Sequence, residues 1–339
     1  MYIGIPTELH DLDHRVALGV NSVAQLVAHG HTVYVQTGAG ERAGFSDEGY
    51  VASGATIVYS AEEVYKRSGL IARVTTPTLE EIDEMEPGQL ICGFAHLSAA
   101  SPPRMKKILD SGVTMVAWEL LRETSGARPI ARTMSEIGGR LVPQIAARLL
   151  ESPAGKGTLL SGIPGLPPAE VAILGAGDVG FNAARSFAGM GAQVTMLDAS
   201  QRLAEMDRVY ETPGRIRLVY AYPDQIKNAV SYADVFIGAI HTRGQRASRI
   251  ITEQMVKSMR PGSVIIDVSI DQGGCVETSR PTTLRDPTFV KHGVIHYCVP
   301  NFTALVARTA SRALSNDLRP YLLQLAADPK CLNCDPALR

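Results

Sequence analysis

Short apolar runs alternate along the chain with stretches whose apolar residues recur every three or four positions, as when strands alternate with helices. In the first third the strand candidates are Tyr2–Ile5, Thr32–Gln36, Thr56–Tyr59, Leu70–Val74, Gln89–Cys92 and Thr114–Trp118. Helical patterns lie between several of them, at Ser22–Ala28, Ala61–Ser68 and Pro102–Asp110. Residues 126–150 read as one linking helix, which Pro143 is expected to bend. A turn-dense Gly/Pro-rich stretch, Gly155 to Pro168, comes next. Strands then recur at Val171–Leu174, Gln193–Leu197, Ile216–Tyr220, Val235–Ile240 and Ser263–Val268. Helices are expected from Val179, near Asp224–Tyr232 and at Glu253–Met259, and a last one, Ala310–Ala326, should return to the first domain. The pattern predicts an α/β protein with two doubly wound domains.

One stretch of this pattern carries a specific signal. Val171 to Asp198 reads as strand, glycine loop, helix, strand and acid. Gly175, Gly177 and Gly180 form G-x-G-x-x-G, with Ala176, Asp178 and Val179 between them. Such glycines permit the turn, the approach of a pyrophosphate and close helix–strand packing, and the helix N-terminus attracts the phosphates. Asp198 ends the second strand, 18 residues past Gly180, where a carboxylate accepts from ribose hydroxyls and repels a 2′-phosphate. NAD is therefore expected over NADP, a preference that nearby Arg202 weakens. The glycines alone are a weak signal; the strand before, the helix after and the acid make it strong. The expected fold is a Rossmann-type NAD-binding domain, 129–305 with its linking helix, inserted in a flavodoxin-like substrate and catalytic domain, 1–128 and 306–339.

Composition narrows the partners. The 339 residues suffice for two cores, and 45% hydrophobic with 20% charged residues is ordinary for a globular protein. A net charge of -1 argues against nucleic acid or an anionic membrane. No apolar run approaches a membrane span, and the chain enters an apolar strand without a basic leader, so no secretory signal is expected. Five cysteines, an odd number, suggest reduced thiols in the cytoplasm. Cys331 and Cys334 form a lone C-x-x-C without a second half-site and read as part of a polar tail rather than a metal or redox centre.

In folds of this class ligands bind beyond the carboxyl ends of the strands. Four polar residues there could carry chemistry. Arg15, after the first strand, suits a substrate carboxylate through its planar fork. His96, after Gln89–Cys92, can pass a proton in both directions near neutrality. Asp271, beside the Gly273–Gly274 pair, suits an attacking water or amine. Asn301, in Y-C-V-P-N-F-T, can fix nicotinamide or substrate through its amide. Arg15, His96 and Asn301 have structural alternatives, a surface arginine, a buried histidine and an Asx turn, and Asp267 reads as structural.

Taken together the chain resembles the alanine dehydrogenase and transhydrogenase-α family. The resemblance runs from Tyr2 to Leu323 in ordered blocks: I-G-I-P-T-E with R-V-A-L, G-A-G-x-x-A-G-F-S-D-E-x-Y, M-S-E-I-G-G-R, S-G-I-P-G-L-P-P-A-E-V, D-Q-G-G-C-V-E-T-S-R-P-T-T and H-Y-C-V-P-N. It implies a cytoplasmic, homo-oligomeric NAD-linked dehydrogenase, hexamer or dimer, for a small L-amino acid. By resemblance Arg15 holds the substrate carboxylate, His96 and Asp271 are catalytic, and Asn301 lies on the cofactor side. The glycine loop, Asp198 and Ser135 fall to the cofactor.

Two departures concern the substrate pocket. The family lysine of a K-x-K-E-P run falls on Thr75 in R-V-T-T-P, where Arg73, two residues back on the same strand face, is placed either to lean across or, as a basic position family members often share, to hold another role. The family run N-M-P-G-A-V-P-R-T-S is N-F-T-A-L-V-A-R-T-A-S here, so Phe302 to Leu305 are expected to reshape the nicotinamide end of the pocket, with Thr75 and Phe302 as substrate contacts. The expected activity is reversible oxidative deamination of a small L-amino acid to its 2-oxo acid and ammonia. The alternatives are a dehydrogenase or imine reductase for another amino or imino acid, an NAD-recycling cyclodeaminase-type lyase, and a silent NAD-binding regulatory protein.

Overall fold

Tyr2–Ile5 (β1) is buried on three of its four residues and pairs in parallel with two neighbours. In the computed structural model, which describes residues 1–10, 12–97, 100–199, 202–207, 215–240 and 246–333, it begins a regular strand–helix alternation. The elements that follow are Val20–Ala28 (α1), Thr32–Gln36 (β2), Asp47–Ala52 (α2), Thr56–Val58 (β3), Ala61–Arg67 (α3), Leu70–Ala72 (β4), Leu79–Asp83 (α4), Leu90–Gly93 (β5), Pro102–Asp110 (α5) and Thr114–Ala117 (β6). Helix starts are set by side-chain caps: Ser46, Ser60 and Thr78 accept from the third residue of α2, α3 and α4, and Thr78 with Glu81 completes a capping box. All pairings in this six-stranded sheet are parallel, in the order β3-β2-β1-β4-β5-β6. The doubly wound class holds: β2-β1-β4-β5-β6 run in the flavodoxin-like order expected, and β3 adds one parallel strand at the edge beyond β2.

Pro129–Leu150 (α6) is one helix in which Pro143 is contained. The next unit has Glu170–Leu174 (β7), Asp178–Gly189 (α7), Gln193–Asp198 (β8), Arg202–Asp207 (α8), Ile216–Tyr220 (β9), Pro223–Tyr232 (α9), Val235–Gly238 (β10), Glu253–Lys257 (α10) and Val264–Asp267 (β11). Thr288–Lys291 (β12) and Val294–Tyr297 (β13) then form an antiparallel hairpin at the sheet edge. The seven-stranded order is β12-β13-β11-β10-β7-β8-β9. A core of Ala172, Leu174, Val230, Phe236, Ile265 and Val276 packs on one face of it.

Ala307–Ala327 (α11) closes the chain's regular structure. The chain divides into two compact units, Met1–Met134 with Thr303–Arg339, and Ser135–Phe302. Helix α11 thus belongs with the first sheet. Its Ser311 and Ser315 hydroxyls accept from the backbone N–H groups of Val16 and Gly19, both at 2.9 Å, and fix the R-V-A-L segment. Cys334, one half of the C-x-x-C pair, lies outside the described residues. No helix among the described residues is long and apolar enough to cross a membrane.

Candidate active site

In the second unit the glycine loop lies where the strand order reverses, between β7 and β10. A Cβ on Gly180 would sit 1.9 Å from the Gly175 carbonyl oxygen, so only glycine lets α7 start against β7. Gly175 has φ +111, and a Cβ on it would meet the Ala239 carbonyl oxygen at 2.3 Å. Gly177 differs. Among the described residues a Cβ there would meet only the Arg202 guanidinium, at 3.8 Å, which leaves space above it for a ligand. Gly177 is also the N-cap of α7 and offers no side-chain cap, which leaves the first N–H groups of a 12-residue helix to an anion. Asp198 accepts from the Ala176 N–H at 2.6 Å and is half-buried, which ties the acid at the end of β8 to the loop. These residues fit a dinucleotide. Ser135 lies half-buried on α6. Four residues on, a Cβ at Gly139 would strike the Val179 carbonyl oxygen at 2.5 Å, so α6 packs tightly on the first turn of α7.

Asp271 follows β11 on a tight helical turn, Val268–Gln272, and is half-buried. Gly273 and Gly274 end that turn with φ +98 and +80. Ser269 anchors it: its hydroxyl accepts from the Ile240 N–H at 3.0 Å and faces the Ile240 carbonyl at 2.8 Å. Asp267 is buried and accepts from the N–H groups of Cys275 and Val276, at 3.0 and 3.2 Å. Burial pushes its carboxyl above the ordinary range, and these N–H groups act against that. Asp267 thus shapes the loop beyond Asp271. Asn301 is half-buried with φ +51, a left-handed conformation that asparagine tolerates. Phe302, expected as a pocket wall, is buried and meets Tyr297 edge-on at 6.4 Å.

In the first unit the other candidates follow β1, β4 and β5, which are adjacent in the sheet, around its own order reversal between β1 and β4. Arg15 is buried, 4% exposed. Its Nε and Nη2 donate to the two oxygens of Asp13, at 2.9 and 2.6 Å, and Nη1 donates to the Thr303 hydroxyl at 3.0 Å. The bidentate pair fixes the guanidinium plane.

Arg73 and Thr75 form a second buried network, and here the expectation is corrected. Arg73 does not lean across. Its guanidinium donates to Glu81 at 2.9 and 3.0 Å, to the Tyr65 hydroxyl at 2.8 Å, to the Thr75 carbonyl at 2.7 Å and to Glu8 at 3.4 Å. Glu8 also accepts from the N–H groups of Val74 and Thr75, at 2.5 and 3.2 Å, and from the Thr75 hydroxyl. The Thr75 side chain is therefore directed to Glu8. Two buried carboxylates hold one buried guanidinium, the arrangement in which removing one partner is most costly.

His96 is exposed at the carboxyl end of β5, with φ +44, and stacks on Phe94 at 5.9 Å. The residue that sequence reasoning missed is Glu119, after β6. Its two oxygens accept the N–H groups of His96 and Ala95, at 2.7 and 3.1 Å. These charge-assisted bonds hold a backbone conformation that costs roughly 1–2 kcal/mol outside glycine. The available sequence signal was its place just after a strand. Thr76 adds a tie, donating to the Phe94 carbonyl at 2.8 Å.

Known proteins match along the whole chain. Residues 4–138 match the family described as alanine dehydrogenase/PNT, N-terminal domain, and residues 142–338 match alanine dehydrogenase/PNT, C-terminal domain. A protein named alanine dehydrogenase from Mycolicibacterium smegmatis is 43% identical over 328 residues, 96% of this chain and 88% of that one. Another of that name, from Bacillus subtilis, is 42% identical over 96% of this chain and 86% of its own. A solved structure titled L-alanine dehydrogenase superposes with a TM-score of 0.92 at 41% identity, covering 100% of this chain and 93% of that one. A transhydrogenase from Sinorhizobium meliloti shares the fold, with a TM-score of 0.80 at 21% identity over 96% and 94% of the two chains. With both of its domains matched and these identities across nearly its full length, the chain belongs to the alanine dehydrogenase/PNT family.

Proposed function

We propose that this chain is an NAD-dependent amino-acid dehydrogenase that interconverts a small L-amino acid and its 2-oxo acid plus ammonia. The observation that carries the reading is the likeness in both units at once, 43% identity over 96% of the chain to a named alanine dehydrogenase. The open cradle over Gly177 supports it on the cofactor side.

NAD, when bound, supplies the two-electron acceptor of deamination and, reduced, the donor of amination. The N–H groups that begin α7 take its pyrophosphate, and Asp198 takes a ribose hydroxyl. Ser135 and Asn301 are its further contacts in this reading. Arg15, its plane fixed by Asp13, pairs with the substrate carboxylate. His96 gives a proton to the carbonyl or carbinolamine oxygen in amination and takes it back in deamination. Asp271 orients the incoming ammonia or water. In amination, ammonia, one 2-oxo acid, NADH and a proton give one amino acid, NAD and water. The cysteines seen are free thiols, consistent with a cytoplasmic protein. A homo-oligomer is part of the proposal, and light scattering in solution tests it.

The test of the activity is NADH oxidation by the purified chain with ammonia and a panel of 2-oxo acids. Turnover of pyruvate or a close homologue that needs ammonia is expected. Silence across the panel while NAD still binds would overturn the reading. One observation favours a substrate other than pyruvate as the best one: the position at which the family resemblance implies lysine holds Thr75, whose hydroxyl is engaged by Glu8. Preference for another small 2-oxo acid would follow from that.

A further inference from the structure

Thr303 begins the second stretch of the first unit, and it is buried, 7% exposed. Its Oγ1 accepts from Arg15 Nη1 at 3.0 Å. A hydroxyl carries one proton and two lone pairs. The lone pair is matched by Arg15, but among the described residues nothing accepts the proton. A buried donor beside a guanidinium and without an acceptor is a place for an anionic oxygen. The neighbouring groups do not compete for it. Arg15 gives Nε and Nη2 to Asp13, and the Thr75 hydroxyl is turned onto Glu8. In the family run quoted above, this position is a proline, which has no side-chain donor.

We propose that Thr303 is a specificity-determining residue that donates its hydroxyl proton to the carboxylate of the 2-oxo or amino acid held by Arg15. It thereby supplies, as a neutral donor on the segment entering α11, the second polar contact that Thr75 does not make. The substrate class, an acid with a carboxylate beside the reacting carbon, rests on the dehydrogenase reading above. Two properties follow. The hydroxyl acts on substrate binding and leaves the acid–base chemistry of His96 alone. Any side chain with a hydroxyl at the same Cβ, such as serine, serves in its place.

The experiment compares the wild type with Thr303→Val, which keeps the shape and lacks the donor, with Thr303→Ala as a second removal, and with Thr303→Ser. Pyruvate, or the panel acid turned over fastest, is titrated calorimetrically into each protein in the presence of NAD and without ammonia, where no turnover occurs. The expected result is binding weakened tenfold or more in the valine and alanine variants and within threefold of wild type in the serine variant. NAD affinity should be unchanged, and the melting temperature should fall by only a few degrees in the valine and alanine variants, where Arg15 Nη1 loses its acceptor. In steady state the KM for the acid rises by a similar factor while kcat stays within about twofold, because uniform binding is lost. Equal binding by wild type and the valine or alanine variant would overturn the proposal. If wild type turns over an acid and these variants match it, the proposal fails alone and the dehydrogenase reading stands. If wild type binds the acid through Thr303 without turning it over, only the dehydrogenase reading fails. If wild type binds none of the acids, both fail.

Discussion

The carboxylate of Glu119 accepts the backbone N–H of His96 at 2.7 Å and that of Ala95 at 3.1 Å, and so holds the end of β5 in a left-handed turn at His96. The two residues are far apart in sequence and adjacent through the β5–β6 pairing. Replacing Glu119 with alanine removes both acceptors and frees the His96 backbone. The expected effect is a fall in kcat of about tenfold or more, with NAD affinity intact and partial recovery in Glu119→Asp. His96→Ala, which removes the proposed proton carrier, should cost about 10²–10⁴ in kcat. Equal rates for Glu119→Ala and wild type would show that the turn does not depend on it.

The glycine loop separates a folding glycine from a ligand glycine. Gly180→Ala places a methyl 1.9 Å from the Gly175 carbonyl oxygen, so the loop must open and the second unit should melt at clearly lower temperature. Among the described residues Gly177→Ala meets only the Arg202 guanidinium, at 3.8 Å, so its melting temperature should match wild type while NAD affinity drops at least tenfold. Thermal melts with calorimetric NAD titration distinguish the two.

Among the described residues Arg73 is the cation that pairs with both Glu8 and Glu81, and all three side chains are almost fully buried. Arg73→Met leaves two unneutralised buried carboxylates and should cost about 3–5 kcal/mol. For a unit of this size that is a fall of roughly 10 °C in melting temperature. A change under a few degrees would mean that the carboxylates relax to water.

His296 is fully buried, with its ring between the Thr278 hydroxyl and the Val294 carbonyl at 2.8 and 3.0 Å. Burial pushes its pKa down from 6.5 to about 4. The folded protein therefore keeps it neutral where the unfolded chain would protonate it. Its stabilising contribution is complete above pH 6.5 and is lost as pH falls toward 4, by roughly 3 kcal/mol in all. Urea unfolding of wild type and His296→Asn across this window should show a steeper acid loss in wild type. Parallel pH curves would contradict the assignment.

Much of this was legible because local rules and tertiary structure agreed. Tyr2–Ile5, Thr32–Gln36, Pro102–Asp110 and Ile216–Tyr220 have the bounds their patterns suggest, since each is an apolar or amphipathic run with clear breakers at its ends. The hairpin of β12 and β13 was missed: its turn, His292-Gly293, follows a run that alternates weakly. Helices α2 and α4 are five or six residues long, too short to show a helical period, and rest on their serine and threonine caps. The edge place of β3 escaped as well, because nothing local in Thr56–Val58 states that it pairs outside β2. At the site, Arg15, His96 and Asp271 could be picked out by residue type and position after strands. Partners such as Asp13, Glu8, Glu119 and Thr303 could not, because each contact depends on which way a side chain turns. That is how Arg73, spaced to face the pocket, proves to be saturated by Glu81, Tyr65 and Glu8.

The most direct test of the central claim follows the transferred hydrogen. The purified chain is incubated with ammonia, a 2-oxo acid from the panel and NADH deuterated at the nicotinamide C4 on either face, and the amino acid formed is analysed by mass spectrometry and NMR. The account predicts one deuterium at Cα per labelled NADH oxidised with one of the two faces, and equimolar NAD and amino acid. Product without label from either face, or conversion with no net oxidation of NADH, would contradict a dehydrogenase.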